Sequence, residues 1–484
     1  MQDEPSQTTA GLPSARRIAA VVAARAVSAR DVIDAHLARI ETRNPRLTAV
    51  TVAFADRARA EAASLDHDLA AGRPAGPLAG VPFTVKENID LTWSATTNAW
   101  HGAEDAVPRA DAAVVRRLRD AGAIPIGRGN MPDFGMRWDT DNDLFGRTLN
   151  PWDPSRSPGG SSGGDAVAVA TGMSALGLGN DFGGSVRIPA YAAGICGLRP
   201  SRGRVPRAAV GDLPVALTLQ QFSVNGPLAR SVDDLALALD VLEGPDPDDP
   251  VSVAVVDPAD LPRRVGVVAD PLGWGVDVEV AAAVGRAAAA LTDAGWDVVP
   301  VEPPHLEEAI VLWRRLACTD MLFSLGPEAL PIPLGRSASR FLRDSTAAAV
   351  PYETAREYAD AWARCAVIAA AWRRLQTEVP VMLGPVSATR MGPPDYDLAG
   401  RGAGDGTDGG EAATHAWRDL RLTVAVNLLG LPAVAVPTGA DADGLPTGVQ
   451  LIGPMHGDRL ALEASRAVEA VCGMLVPPAS KETA

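Results

Sequence analysis

The stretch that most limits how this chain can fold runs from Ser157 to Pro200: SPGGSSGGDAVAVATGMSALGLGNDFGGSVRIPAYAAGICGLRP. It holds two glycine-flanked serines, Ser161 in GGSSGG and Ser185 in DFGGS. The small residues between them, Ala166 to Leu178, read as a buried helix and strand. Glycine admits positive φ and close approach, so a glycine pair before a serine predicts a tight turn with N–H groups aimed at a ligand. Two such turns on one short segment can present two hydroxyls and several N–H donors to one point.

Four readings compete for this stretch. A flexible Gly/Ser linker would lack the apolar residues that interrupt these glycines at regular spacing. A phosphate loop needs G-x-x-x-x-G-K-[ST], and no lysine lies here. Gly160 to Gly164 matches the G-x-S-x-G elbow of an α/β-hydrolase-like esterase, with Ser162 as nucleophile. That elbow needs a strand before it, and Pro154 and Pro158 stand there instead. The fourth reading draws on Gly80 to Asp90, GVPFTVKENID, where Val81 to Val85 predicts a short buried strand ending on Lys86. A buried ammonium is costly, so Lys86 either pairs with a carboxylate, reaches solvent or takes part in chemistry.

Together these motifs resemble the amidase signature family. The resemblance covers most of the chain through GVPFTVKEN, SPGGSSGG, the Ser161-to-Ser185 spacing, GGSVRIPA and GICGLRPS. Weaker matches are GNMPDF, NPWDPSRSPGG, GPLARSVDDLAL and NLLGLPAVAVPTG. It implies the α/β amidase signature fold, a large mixed β-sheet covered by helices on both faces. Residues 1–484 would form a single domain, with an N-terminal helical region at 1–70, a signature core at 71–240, and a variable region at 305–412 capping the pocket.

The resemblance also implies roles. Ser185 would be the nucleophile, Ser161 the bridging serine after a cis Gly160–Ser161 bond, and Lys86 the base. The oxyanion hole maps onto the backbone N–H groups of Phe182, Gly183, Gly184 and Ser185. Asp181 and Arg187 would form a supporting ion pair, with Ser162 also structural. Met131, Gly135, Met136 and Trp138 would line the acyl pocket. The implied activity is cleavage of acyl–nitrogen bonds in aryl and alkyl amides, with carbamates (urethanes) and esters open to the same chemistry and no metal or organic cofactor required. An amidotransferase subunit that feeds ammonia from glutamine to a partner is the alternative.

The chemistry explains the residue types. A serine hydroxyl is a poor nucleophile until a neighbour takes its proton. Lysine can do this only when neutral, so its pKa must fall from ~10.4 toward ~7–8, and desolvation is the usual cause. Each oxyanion donor contributes about 3 kcal/mol.

A formal net charge of −15 disfavours nucleic acid and anionic membranes as partners. The N-terminal MQDEPSQTTAGLPSARR has no apolar leader, and no run of about 18 apolar residues marks a membrane span. A cytoplasmic monomer or homodimer acting on a small molecule is expected. The 4 cysteines and 6 histidines show no metal-ligand spacing.

Elsewhere, Ser28 reads as an N-cap of a helix that Asn44-Pro45 should stop. Residues 225–243 read as a helix capped near Ser231, and 305–380 as mostly helical. Arg264–Ala269, Val278–Ala294 and Trp296–Val301 predict a strand–helix–strand unit at a sheet edge. Two places depart from the family pattern. Arg137 to Asp141 replaces small or hydroxyl residues, so Trp138 is either a substrate platform or a buried aromatic. Asn180 stands where threonine is common, which should alter hydrogen bonding around the site. Residues 388–412, rich in Gly, Pro and Asp, predict a surface loop or a mobile lid.

Overall fold

The computed structural model describes residues 12–207, 215–399 and 409–478. Its centre is one sheet of eleven strands. In chain order they are β1 (Val50–Ala53), β2 (Pro82–Lys86), β3 (Ile124–Gly129), β4 (Leu176–Asp181), β5 (Cys196–Arg199), β6 (Val224–Ala229), β7 (Arg264–Val267), β8 (Asp297–Pro300), β9 (Val381–Gly384), β10 (Ala433–Ala440) and β11 (Pro446–Ile452). Their spatial order is β1-β3-β2-β4-β6-β5-β10-β11-β9-β7-β8. β3, β2 and β4 run parallel, as do β9, β7 and β8, and the remaining pairings are antiparallel. This is the mixed α/β sheet that the resemblance implies.

Side-chain alternation divides two cores between the faces. Along β10, Val434 and Val436 join one core while Ala433 and Ala435 join the other. Along β9, Val381 and Leu383 part from Met382 in the same way. The first core takes the apolar faces of helices Ala15–Ala23, Ala29–Leu47, Val232–Leu242, Val278–Asp293 and Asp458–Cys472. The second takes Leu306–Leu325, Arg336–Ala349, Ala355–Glu378 and Arg421–Leu429. Helices therefore cover both faces. Among the described residues no helix is long and apolar enough to cross a membrane.

Three local readings are corrected. The helix capped by Ser28 does not stop at Asn44-Pro45 but runs through Pro45 to Leu47. Proline in the last turn forfeits only one intrahelical bond. Asn44 compensates by accepting from the amides of Ala49 and Val50 at 2.8 Å each. Residues 225–243 are not one helix: Val224–Ala229 is β6, and the helix starts at Val232 with Ser231 as its cap. Pro227 is tolerated in this inner strand because the ladder with β5 covers only Leu228 and Ala229. Lastly, 388–412 is not irregular throughout. Tyr396–Ala399 and Gly409–Asp419 are helical, and Met391, Tyr396 and Leu398 are buried. Residues 400–408 of that stretch, and with them part of the lid reading, lie outside the described residues.

Candidate active site

The site forms where β2 and β4 end side by side. The apolar strand β2 carries Lys86 into the interior, fully buried. β4 leads into the turn 182–185, after which helix Arg187–Ala193 begins. Ser161 and Ser162 sit just before helix Gly163–Ala170, and the Gly160–Ser161 peptide is cis. A Cβ at Gly160 would stand 2.8–2.9 Å from backbone atoms of Arg137, Trp138 and Asp139, so only glycine fits.

Lys86 Nζ donates to Ser161 Oγ at 2.7 Å and to Asn180 Oδ1 at 2.8 Å. Asn180 thus holds the lysine directly, and its own Nδ2 donates to Asn88 at 2.8 Å. Ser185 Oγ makes no hydrogen bond among the described residues, and it lines the same cavity as Ser161 and Asn180. Burial pushes the Lys86 ammonium well below the ordinary lysine range. The Asp165 and Asp181 carboxylates oppose this shift, and the Arg207 guanidinium adds to it. Asp165, just inside helix Gly163–Ala170, is fully buried and accepts from Thr84 Oγ1 at 2.6 Å. Burial pushes its carboxyl up. Sequence reasoning passed over Asp165, although an acid in the otherwise small, apolar GGDAVAVA was its signal.

Asp181 and Arg187 do pair, Oδ2 to Nε at 3.0 Å, and Asn427 Nδ2 donates to Asp181 at 2.8 Å. Burial works to raise the Asp181 carboxyl, but Arg187 and Arg199 overcome this and hold it far below the usual carboxylate range. Of the four turn amides, that of Gly184 is committed to Asp181 Oδ1 at 2.8 Å. Those of Phe182, Gly183 and Ser185 meet no acceptor among the described residues.

Ser162 is turned away from the cavity. Its hydroxyl is buried against the Asn180 carbonyl at 3.4 Å, and its amide donates to the Ser185 carbonyl. No strand precedes it. This placement favours neither an exposed elbow nor Ser162 as a nucleophile.

The cavity holds about 210 Å³. Six aromatic rings wall it: Phe134, Trp138, Phe182, Trp313, Phe341 and Trp417. Gly135 and Met136 also line it, whereas Met131 does not. Met131 is fully buried behind Gly135. A Cβ on Gly135 would stand 3.0 Å from Ser161 Oγ, at a φ of +70. Trp138 is both buried and part of the wall. Its Nε1 donates to the Gly183 carbonyl at 2.9 Å, and its ring meets Phe341 edge-on.

The departing segment 137–141 has a structural partner. Arg137, fully buried, donates to Asp397 at 2.7 Å and to Asp395 at 2.8 Å. Arg147 bridges Asp139, Asp141 and Asp395. Asp397 also accepts from the Trp138 amide at 3.1 Å, and Asp139 from Ser157 Oγ at 2.6 Å. This network fastens segment 395–397 beneath the wall that holds Trp138.

Comparison with known proteins gives a consistent picture. The family model described as Amidase matches residues 31–462. An indoleacetamide hydrolase of Bradyrhizobium diazoefficiens is 36% identical, over 96% of this chain and 87% of the relative. A glutamyl-tRNA(Gln) amidotransferase subunit of Synechococcus sp. (strain CC9605) is 34% identical, over 92% of this chain and 93% of the relative. The crystal structure of a bacterial aryl acylamidase of the amidase signature family superposes with a TM-score of 0.82 at 28% identity, covering 95% of this chain and 96% of that one.

Proposed function

The chain belongs to the amidase signature family of hydrolases that act on carbon–nitrogen amide bonds, and on that premise we propose that it cleaves amides of aromatic or other apolar groups through an acyl-enzyme on Ser185. The observation that carries the mechanism is the 2.7 Å contact of Lys86 Nζ with Ser161 Oγ, beside an uncommitted Ser185 hydroxyl in one cavity. Neutral Lys86 takes the Ser161 proton as Ser161 takes that of Ser185, and Ser185 Oγ bonds to the amide carbon. The free amides of Phe182, Gly183 and Ser185 stabilise the oxyanion. On collapse the carbon–nitrogen bond breaks, and the proton returns through Ser161 to the leaving amine. Water then attacks the ester, with the same relay accepting its proton.

The aromatic wall and the likeness to an indoleacetamide hydrolase support arylacetamides and anilides as the first substrates to try. Aryl carbamates and p-nitrophenyl esters need only the same oxyanion site and belong in the same panel. The likeness to amidotransferase subunits supports glutamine as the competing substrate. The test is hydrolysis of indole-3-acetamide, an anilide, an aryl carbamate, a p-nitrophenyl ester and glutamine, by the wild type and by Ser185→Ala, Lys86→Ala and Ser162→Ala. Turnover of an aryl substrate that is lost in Ser185→Ala and Lys86→Ala is expected. Turnover that survives Ser185→Ala but not Ser162→Ala overturns the mechanism, and turnover of glutamine alone overturns the substrate class.

A further inference from the structure

Two charged side chains line the cavity among the described residues, Arg207 and Asp320. Asp320 is saturated: it accepts from the amide and hydroxyl of Thr218 at 2.9 and 2.7 Å and from Tyr358 at 3.0 Å. Arg207 is the opposite. Its guanidinium makes no hydrogen bond or ion pair among the described residues, and its Nε is shut from solvent without an acceptor. Among the described residues the acid that acts on it, Asp249, is engaged by main chain, accepting from the amides of Arg207 itself at 2.7 Å and Val251 at 3.0 Å.

A guanidinium that is part-buried, with its Nε shut in and unpaired, leaves a donor unsatisfied, which is costly. Arg207 is part-buried and has no such partner, whereas the fully buried arginines near it in sequence or across the site are tied down: Arg187 to Asp181, Arg199 to the carbonyls of Asp181 and Phe222, and Arg137 to Asp397. Arg207 lines the same cavity as the six aromatic rings, and it is the charged side chain there that is left without a partner among the described residues. Its five donors in a plane match a carboxylate held in two-point contact.

We propose that Arg207 receives a carboxylate carried by the substrate, so that the amide cleaved joins an aromatic or apolar body to an acid group away from the scissile bond. This rests on the reading above that the cavity is the substrate site. The acid stands on either the acyl or the amine portion, and neutral twins separate the two. A succinyl anilide is compared with its terminal carboxamide, and 4-acetamidobenzoate with 4-acetamidobenzamide. In the wild type, kcat/KM should favour the acid of at least one pair by roughly 10- to 100-fold, as for a hydrogen-bonded charge pair. Arg207→Gln should collapse that ratio toward one, and Arg207→Lys should retain part of it.

Equal or inverted wild-type ratios in both pairs overturn the proposal without any variant. So does a ratio that Arg207→Gln leaves intact. Titration of Ser185→Ala with the same acids and twins separates this proposal from the mechanism. If Ser185→Ala still hydrolyses them, the acyl-enzyme reading falls, while Arg207-dependent preference for the acid stands on its own. If Ser185→Ala is inert and binds acid and twin alike, the carboxylate site falls and the mechanism stands.

Discussion

Replacing Arg137 by methionine removes one cation from a buried cluster, and the structure says where the cost lands. Asp139 keeps Arg147, the Ser157 hydroxyl and the Asp395 amide. Asp141 and Asp395 are partly exposed and keep Arg147. Asp397, fully buried, is left with the Trp138 amide alone. Breaking a buried pair in this way costs about 3–5 kcal/mol. Protonation sets a ceiling: taking an acid with an ordinary pKa of ~3.9 to its neutral form at pH 7 costs about 4 kcal/mol, and at pH 5 about 1.5 kcal/mol. Burial already pushes the Asp397 carboxyl up, against the pull of Arg137, and losing Arg137 pushes it further. A native acid with a raised pKa binds protons that the unfolded chain releases. The deficit therefore grows as pH rises above the unfolded value and shrinks in acid. Urea unfolding followed by tryptophan fluorescence should show Arg137→Met less stable by about 3–4 kcal/mol at pH 7 and about 1.5 kcal/mol at pH 5. Arg137→Met/Asp397→Asn should recover most of the loss at pH 7. A deficit below about 1 kcal/mol at pH 7, a deficit that grows on acidification, or a double variant no better than the single would refute the reasoning.

The pH profile tests Lys86. It must be neutral to accept a proton, so kcat/KM should rise with pH, with a midpoint well below the ordinary lysine value of ~10.4 because burial lowers it. Asn180→Asp places a carboxylate within hydrogen-bond reach of Nζ and should move that limb to higher pH; a limb near 10 in the wild type (~10.4 being the free value), or a downward move in the variant, contradicts the assignment. Trp138→Phe keeps an aromatic ring, smaller than the indole, but loses the Nε1 bond to the Gly183 carbonyl. It should lower kcat by about tenfold, the worth of one hydrogen bond, with a smaller change in KM. A change confined to KM would make Trp138 a substrate wall only.

The parts of the site legible in the sequence were those whose chemistry is local. Ser161, Ser185, Lys86 and the Asp181–Arg187 pair sit in glycine-rich turns or at the end of an apolar strand, and the structure brings them together. The parts that were not legible depend on distant chain. Nothing near Arg137 announces Asp397, 260 residues on. Met131 lies in the same short motif as Gly135, yet only the packing sends one behind the wall and the other into it. β6 escaped notice because both its faces are buried, which erases the alternation of a half-exposed strand, and because Pro227 argues against an inner strand. β9, which follows closely on a long helix, carries too short a pattern to separate from that helix's end. Arg207 was unremarkable as one arginine among many until its lack of a partner could be seen.

Lys86 has a consequence for reagents. The chain carries 44 basic residues, and all but Lys86 and Lys481 are arginines. A guanidinium does not act as an amine nucleophile at ordinary pH. Apart from the α-amino group and Lys481, an amine-selective electrophile therefore finds one target in the protein. That target has no exposed surface, and its nitrogen is bonded to Ser161 and Asn180. Ser161 and Asn180 both line the cavity, so a small electrophile reaches Lys86 by way of the cavity. The mass added to the Lys86 peptide then becomes a count of empty cavities, and any ligand that fills the cavity announces itself as protection of a single nitrogen.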